Sequence, residues 1–178
     1  MGYRLGMENV LASLGIGSAQ LLVILEVVVA MALGGLIGYD RQLADKPAGI
    51  RTHMLVAGAS ALFVGLGNIA VAKFASAFAD NTVRSDPIRL FEAIITGVSF
   101  LGAGTIIRRS ASDRVQGITT AASLLITAAL GATIGLAQWF LGIILTVLVF
   151  LILHLTRWFK HQPPTSTPPQ RGDDKKIA

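Results

Sequence analysis

The sequence predicts an all-α membrane protein with five transmembrane helices. They form two parallel helical-hairpin repeats plus a fifth helix, with the N-terminus outside and the C-terminus inside. Three observations carry this reading. Hydrophobic residues make up 53% of the 178 residues and charged ones only 14%, against about 25% charged in soluble domains; the mean hydropathy is +0.66. Apolar runs long enough to cross a bilayer, ~20 residues each, recur along the chain. Lys and Arg cluster in alternate loops between those runs, the asymmetry that marks the cytoplasmic side.

The spans are expected at about 20–39, 53–72, 89–107, 117–136 and 139–158. The first is a full span rather than the short apolar region of a cleaved leader, so it is read as an uncleaved helix. The last two are joined almost directly, with Gln138 and Trp139 at the turn. Residues 1–160 make one transmembrane domain. Residues 161–178, HQPPTSTPPQRGDDKKIA, have paired prolines and no apolar periodicity, and are expected to be a disordered cytoplasmic tail.

Eleven of the fifteen basic residues fall on one side of this arrangement. Arg41, Lys46 and Arg51 lie between spans 1 and 2, Arg108, Arg109 and Arg114 in a short basic loop between spans 3 and 4, and five more in the tail. Arg4, Lys73, Arg84 and Arg89 lie on the other side. An odd number of spans agrees with N-terminus out and C-terminus in.

A shift of 68 positions lays DKPAGIRT, Asp45 to Thr52, over DRVQGITT, Asp113 to Thr120. Arg41 then falls on Arg109 and Gly34 on Gly102. Two hairpins that both enter from outside are parallel repeats about an axis along the membrane normal, with a functional site expected near their interface.

Several classes of function are disfavoured. With no cysteine there is no thiolate metal site or thiol nucleophile. The net charge of +5 sits in short loops without interleaved aromatics, so no nucleic-acid partner is expected. Nucleophile-elbow, HExxH and P-loop patterns are absent, and the chain is not expected to be an enzyme.

Two constellations remain. Each Gly-Ile-x-Thr step starts a helix on the basic side, with Gly49 or Thr52, and Gly117 or Thr119, as N-caps. The simple reading is capping and close packing. The sharper one is two helix N-termini converging on an anion with Lys46 and Arg51. Asp40, Asp45 or Asp113 fills that role in a charged lock, or a lipid phosphate does. The second constellation is the pair of intramembrane acids Glu26 and Glu92, able to hold a hard cation such as Mg2+ through oxygen ligands. Glu92 can instead pair with Arg89 three residues earlier, joined by Asp86. His53 and His154 are read as structural. Gly34/Gly38 and Gly131/Gly135 are GxxxG pairs that suit packing either between helices or between subunits. Trp139 and Trp158 suit interfacial anchoring. Five spans form a small bundle for enclosing a pathway, so a homodimer is expected.

The segments GGLIGYDRQLADKPAGIRTHMLV (Gly34 to Val56), GVSFLGAGTIIRR (Gly97 to Arg109) and VQGITTAASLL (Val115 to Leu125) resemble the MgtC/SapB family of bacterial inner-membrane proteins. The resemblance covers about residues 20–136. It singles out Asp40, Arg41, Lys46, Arg51, Thr52, Gly102, Gly104, Thr119 and Thr120, with Asp86 and Arg89 at the polar entry to the third helix. The family usually has Glu-Arg where this chain has Asp40-Arg41. What the resemblance implies is a role in Mg2+ homeostasis or adaptation to its scarcity, in virulence and growth inside host cells, and in modulating membrane machinery such as ATP synthase. Cation transport and a lipid-interacting structural role are the alternatives. Many members carry a further cytoplasmic domain of ferredoxin-like fold, where this sequence has only the Pro-rich tail.

Overall fold

The computed structural model describes residues 17–77, 86–109 and 114–158. The expected tail, Asp113 and the N-terminal residues lie outside them. Among the described residues are five helices: α1 Ser18–Leu43, α2 Ile50–Ala77, α3 Pro87–Thr105, α4 Ile118–Gly135 and α5 Trp139–Trp158. Four carry stretches long and apolar enough to cross a membrane, Ser18–Leu43, Ile50–Phe74, Pro87–Thr105 and Ile118–Gly135; the described apolar stretch of α5, Trp139–Leu155, is shorter.

Buried positions on α1 include Val23, Glu26, Ala30, Gly34, Ile37 and Arg41, a spacing of three or four that marks one helix face. That face lies antiparallel on α2. Gly34 is so close that a Cβ there would sit 2.7 Å from the His53 carbonyl oxygen, and one at Gly38 would sit 2.6 Å from the Ile50 Cα. The second GxxxG pair is also used inside the bundle. A Cβ at Gly131 would overlap the Ala57 carbonyl oxygen, and one at Gly135 would lie 2.7 Å from that of Ala61. The ascending order of these contacts makes α2 and α4 parallel neighbours. Without a side chain between them the two backbones touch, the arrangement lipid-embedded helices favour.

This α2–α4 pair divides the molecule. On one side Ala30 and Ile37 of α1 and Val149 and Leu153 of α5 pack with Ala57, Ala61, Leu130 and Ile134. On the other, Ile94 and Val98 of α3 pack with Val56, Val64, Leu124, Ala128 and Ala132.

The repeat persists in the packing. Ile50 and Ile118, at the same shift of 68, are the first residues of α2 and α4. Gly34 meets His53 as Gly102 meets Ala121, again at that shift. The hairpins diverge between their helices. α1 continues to Leu43, whereas α3 stops at Thr105. The basic loop expected after it begins and ends in an antiparallel ribbon, with Ile107–Arg109 (β1) paired to Arg114–Gln116 (β2) in the register Ile107↔Gln116. Extended backbone at Ile106 starts it, and the β-branched Ile107 and Val115 suit strands. Gly117 closes the unit at φ 97°, where a Cβ would overlap the Thr105 carbonyl oxygen; only glycine fits there without strain.

Gly131→Ala is expected to force α2 and α4 apart and lower stability by about 2 kcal/mol or more. Gly67→Ala, which meets only the end of the Leu90 side chain at 3.0 Å, is expected to change it by less than about 1 kcal/mol. Thermal unfolding in detergent or nanodiscs checks both.

Candidate functional site

Polar side chains gather where the C-terminal end of α1 meets the N-terminal ends of α2 and α4. Asp40 is 2% exposed, Arg41 5%, His53 0%, Thr120 1% and Ser123 4%. Each is placed by helical spacing. His53 is four residues after Gly49, so its Nδ1 bonds the Gly49 carbonyl oxygen at 2.8 Å. A carbonyl only accepts, so Nδ1 carries a proton. Its Nε2 lies 3.1 Å from Ser123 Oγ across the helix pair. Ser123 Oγ also lies 2.8 Å from the Thr120 carbonyl oxygen, and its one proton serves either contact. Thr127 Oγ1 donates to the Ser123 carbonyl oxygen at 2.7 Å. Thr120, Ser123 and Thr127 are thus a polar stripe on an otherwise apolar helix, turned to the inside.

Arg41 completes the cluster. Its Nη2 donates to Thr120 Oγ1 at 3.5 Å, while its enclosed Nε makes no hydrogen bond. Asp40 Oδ1 lies 3.6 Å from Nδ1 of His154 on α5, whose ring stacks on Phe150. Directional contacts therefore join α1, α2, α4 and α5 at one end of the bundle. Ser123 and His53 have the spacing of a nucleophile and base, but both are enclosed.

The other sequence-selected residues are placed differently. Lys46 and Arg51 are exposed, Thr52 is half-buried and Thr119 is exposed. The helix starts are not capped by threonine. Gln42 Oε1 accepts from the Ile50 amide at 3.4 Å, and Gly117 caps α4 with no side-chain bond. Gly102 packs on Ala121, while nothing lies within 4 Å of a Cβ at Gly104. Asp86 caps α3, accepting from the Ile88 amide at 3.1 Å. Arg89 reaches back to it at 3.7 Å rather than forward to Glu92.

Glu26 is buried, at 8% exposure, and its carboxylate has no hydrogen-bonding or charged partner among the described residues. Glu92 is exposed. The two are not brought together, because α1 and α3 lie on opposite sides of the α2–α4 pair. Among the described residues no group of three His, Asp or Glu side chains is placed to hold a metal. The sequence reading takes His53 as structural and does not single out Ser123 or Thr127, although the spacing of three and four between Thr120, Ser123 and Thr127 signals a polar inner face.

A sequence model of the MgtC family matches residues 27–162. The chain belongs to the MgtC family. Curated relatives agree. This MgtC-family chain is 38% identical over 132 residues to the "Putative magnesium transporter YhiD" of Escherichia coli K12, covering 74% of this chain and 59% of that protein. It is 45% identical to Protein SrpB of Synechococcus elongatus, covering 70% and 69%. With Protein MgtC of Salmonella typhimurium the identity is 36%, covering 71% and 48%. The chain thus spans about three fifths of the length of the first of these relatives and about half of the last. No solved structure matches. Family membership and four apolar helices make this a multi-pass membrane protein.

Ser123→Ala is expected to leave His53 Nε2 without its partner and cost about 1–2 kcal/mol, while Thr119→Ala on the exposed face is expected to be near neutral. A double-mutant cycle of Ser123→Ala with His53→Ala, read by thermal unfolding, checks whether the two residues act as a pair.

Proposed function

We propose that this MgtC-family protein is a non-enzymatic protein of the bacterial inner membrane, acting in Mg2+ homeostasis or adaptation to low Mg2+. It acts by binding a cation and, through its helix faces, a membrane partner such as ATP synthase. The names of its relatives, one a putative magnesium transporter, support the Mg2+ part of this reading. The observation that carries the ion-binding part is Glu26, a buried residue of a membrane helix whose carboxylate makes no hydrogen bond or ion pair among the described residues. It lies eight residues into α1, about 12 Å from the helix start. An acid at such depth costs roughly 2.5–3.5 kcal/mol near the bilayer centre, and such residues face the bundle interior and mark ion sites or proton relays. Mg2+ takes oxygen ligands and keeps several of its waters, so one carboxylate suffices as an anchor. In this reading the Asp40–Arg41–His53–Thr120–Ser123 cluster lies at the cytoplasmic end, and fixes the helices relative to one another while Glu26 meets the ion.

Calorimetric titration of the protein in nanodiscs with Mg2+, paired with Mg2+ flux into proteoliposomes, tests this. Binding weakened at least tenfold by Glu26→Gln, with no flux, is the expected result. Flux lost in Glu26→Gln makes the protein a transporter instead. Equal binding by both forms removes Glu26 from the site.

A further inference from the structure

α3 packs on α2 and α4 through Ile94, Val98 and Gly102 and leaves an open groove on each flank. The groove between α3 and α4 is about 500 Å³ and apolar; the hydroxyl in its wall, that of Thr133, donates to the Ala129 carbonyl oxygen at 2.8 Å. Acyl chains suit such a wall. The groove between α2 and α3, about 370 Å³, differs. Its walls include Ala59, Ser60, Ala93 and Gly97. Ser60 is 2% exposed, and its hydroxyl makes no hydrogen bond among the described residues. It lies ten residues into α2, about 15 Å from the helix start, which is deeper than headgroups reach in a ~30 Å hydrocarbon layer. An acyl chain offers that hydroxyl no acceptor, and an unpaired polar group in hydrocarbon is costly.

The repeat shows independently what this wall takes. At the shift of 68, Val29, Ala30 and Leu33 of α1 fall on Gly97, Val98 and Leu101 of α3, and all three of the latter line the groove. On α1 the same face belongs to the apolar layer that Val149 and Leu153 of α5 complete. α5 runs in the same direction as α1 and turns Gly142, Thr146, Val149 and Leu153 inward, at steps of four, three and four. Gly142 is so close to α4 that a Cβ there would overlap the Ile134 side chain. Thr146, 4% exposed, donates its proton to the Gly142 carbonyl oxygen at 2.8 Å and keeps lone pairs able to accept. The face that receives a helix in the first hairpin is therefore open in the second, where no described helix of this chain covers it.

We propose that the α2–α3 groove is the docking site for one transmembrane helix of a partner protein. That helix runs parallel to α3 and presents a small residue and a hydroxyl one turn apart, as Gly142 and Thr146 of α5 do. Ala59, Ala93 and Gly97 let its backbone approach closely, and its hydroxyl accepts the proton of Ser60. The groove gives a place to the membrane partner of the function proposed above and rests on that part of it; it is independent of the ion.

The α5 sequence itself serves as the probe: a synthetic peptide of residues 139–158 carrying Val149→Cys, added to the full chain in nanodiscs. The chain has no cysteine, so single thiols report without background. With Ala93→Cys in the groove wall, iodine is expected to link peptide to protein at least tenfold faster than with Val28→Cys on the exposed side of α1. Gly97→Leu, placed where nothing lies within 4 Å of a Cβ, is expected to fill the groove and abolish the difference without lowering thermal stability. Ser60→Ala is expected to slow linkage severalfold at unchanged stability, and a peptide with leucine in place of Gly142 and Thr146 to lose the preference for Ala93→Cys. Equal rates at the two thiols, or a rate indifferent to Gly97→Leu, overturns the proposal. Disulfides between two copies of the Ala93→Cys chain that form faster than peptide links assign the face to a second copy and overturn it too. So does a membrane partner that copurifies with Gly97→Leu as well as with wild type. The Mg2+ titration on the same nanodiscs keeps the readings apart: Glu26-dependent binding that persists when the peptide fails sinks the groove alone.

Discussion

The contact on which the rest depends is the meeting of the α2 and α4 backbones at Ala57–Gly131 and Ala61–Gly135. Lipid tails are as apolar as leucine, so helices in a bilayer gain little from hiding apolar area and depend on close van der Waals packing. Glycine permits that here by removing the side chain from the line of contact. Once the two helices touch in parallel, their N-terminal ends lie side by side. His53 can then reach Ser123, and Arg41 of the antiparallel α1 can reach Thr120. The same contact makes the pair a partition, with α1 and α5 on one side and α3 on the other.

That partition gives the two intramembrane acids different surroundings. Glu26 is buried among helices of its own chain, while Glu92 is exposed on a helix whose major neighbours among the described residues are α2 and α4. The buried polar end has another character. Its bonds are mostly within reach of one helical turn or across one helix pair, and it holds both charged and neutral donors out of water. Such networks are rigid when complete and costly when half-satisfied, and Arg41 Nε, enclosed without a hydrogen bond, leaves this one incomplete.

Much of this was legible in the residues. Apolar runs set the five helices to within a few positions, and the Gly-Ile steps marked the first residues of α2 and α4, because a glycine outside a helix followed by apolar spacing is a local signal. The fate of the GxxxG pairs was not legible: the pattern states that a backbone is open to approach, and only the fold shows that both pairs meet α2. The ribbon after α3 was missed because three-residue strands carry no periodicity. Asp40, Arg41 and Thr120 were selected and lie together, whereas Lys46 and Arg51, selected for the same end, are exposed. His53 was set aside because it has no acidic or histidine neighbour at helical spacing, and its partner Ser123 is on another helix. The outward turn of Glu92 was hidden because hydropathy averages over a helix and discards direction.

The helices are also unequal in length. α1 and α2 have 26 and 28 residues, against 19 and 18 for α3 and α4, about 39–42 Å against 27–28 Å. One bilayer cannot match both. The first hairpin must tilt or project beyond the acyl chains, while the second, at about 27–28 Å, nearly matches a ~30 Å hydrocarbon layer. Acyl-chain length therefore acts on the two hairpins unequally, favouring one tilt of the longer helices over another.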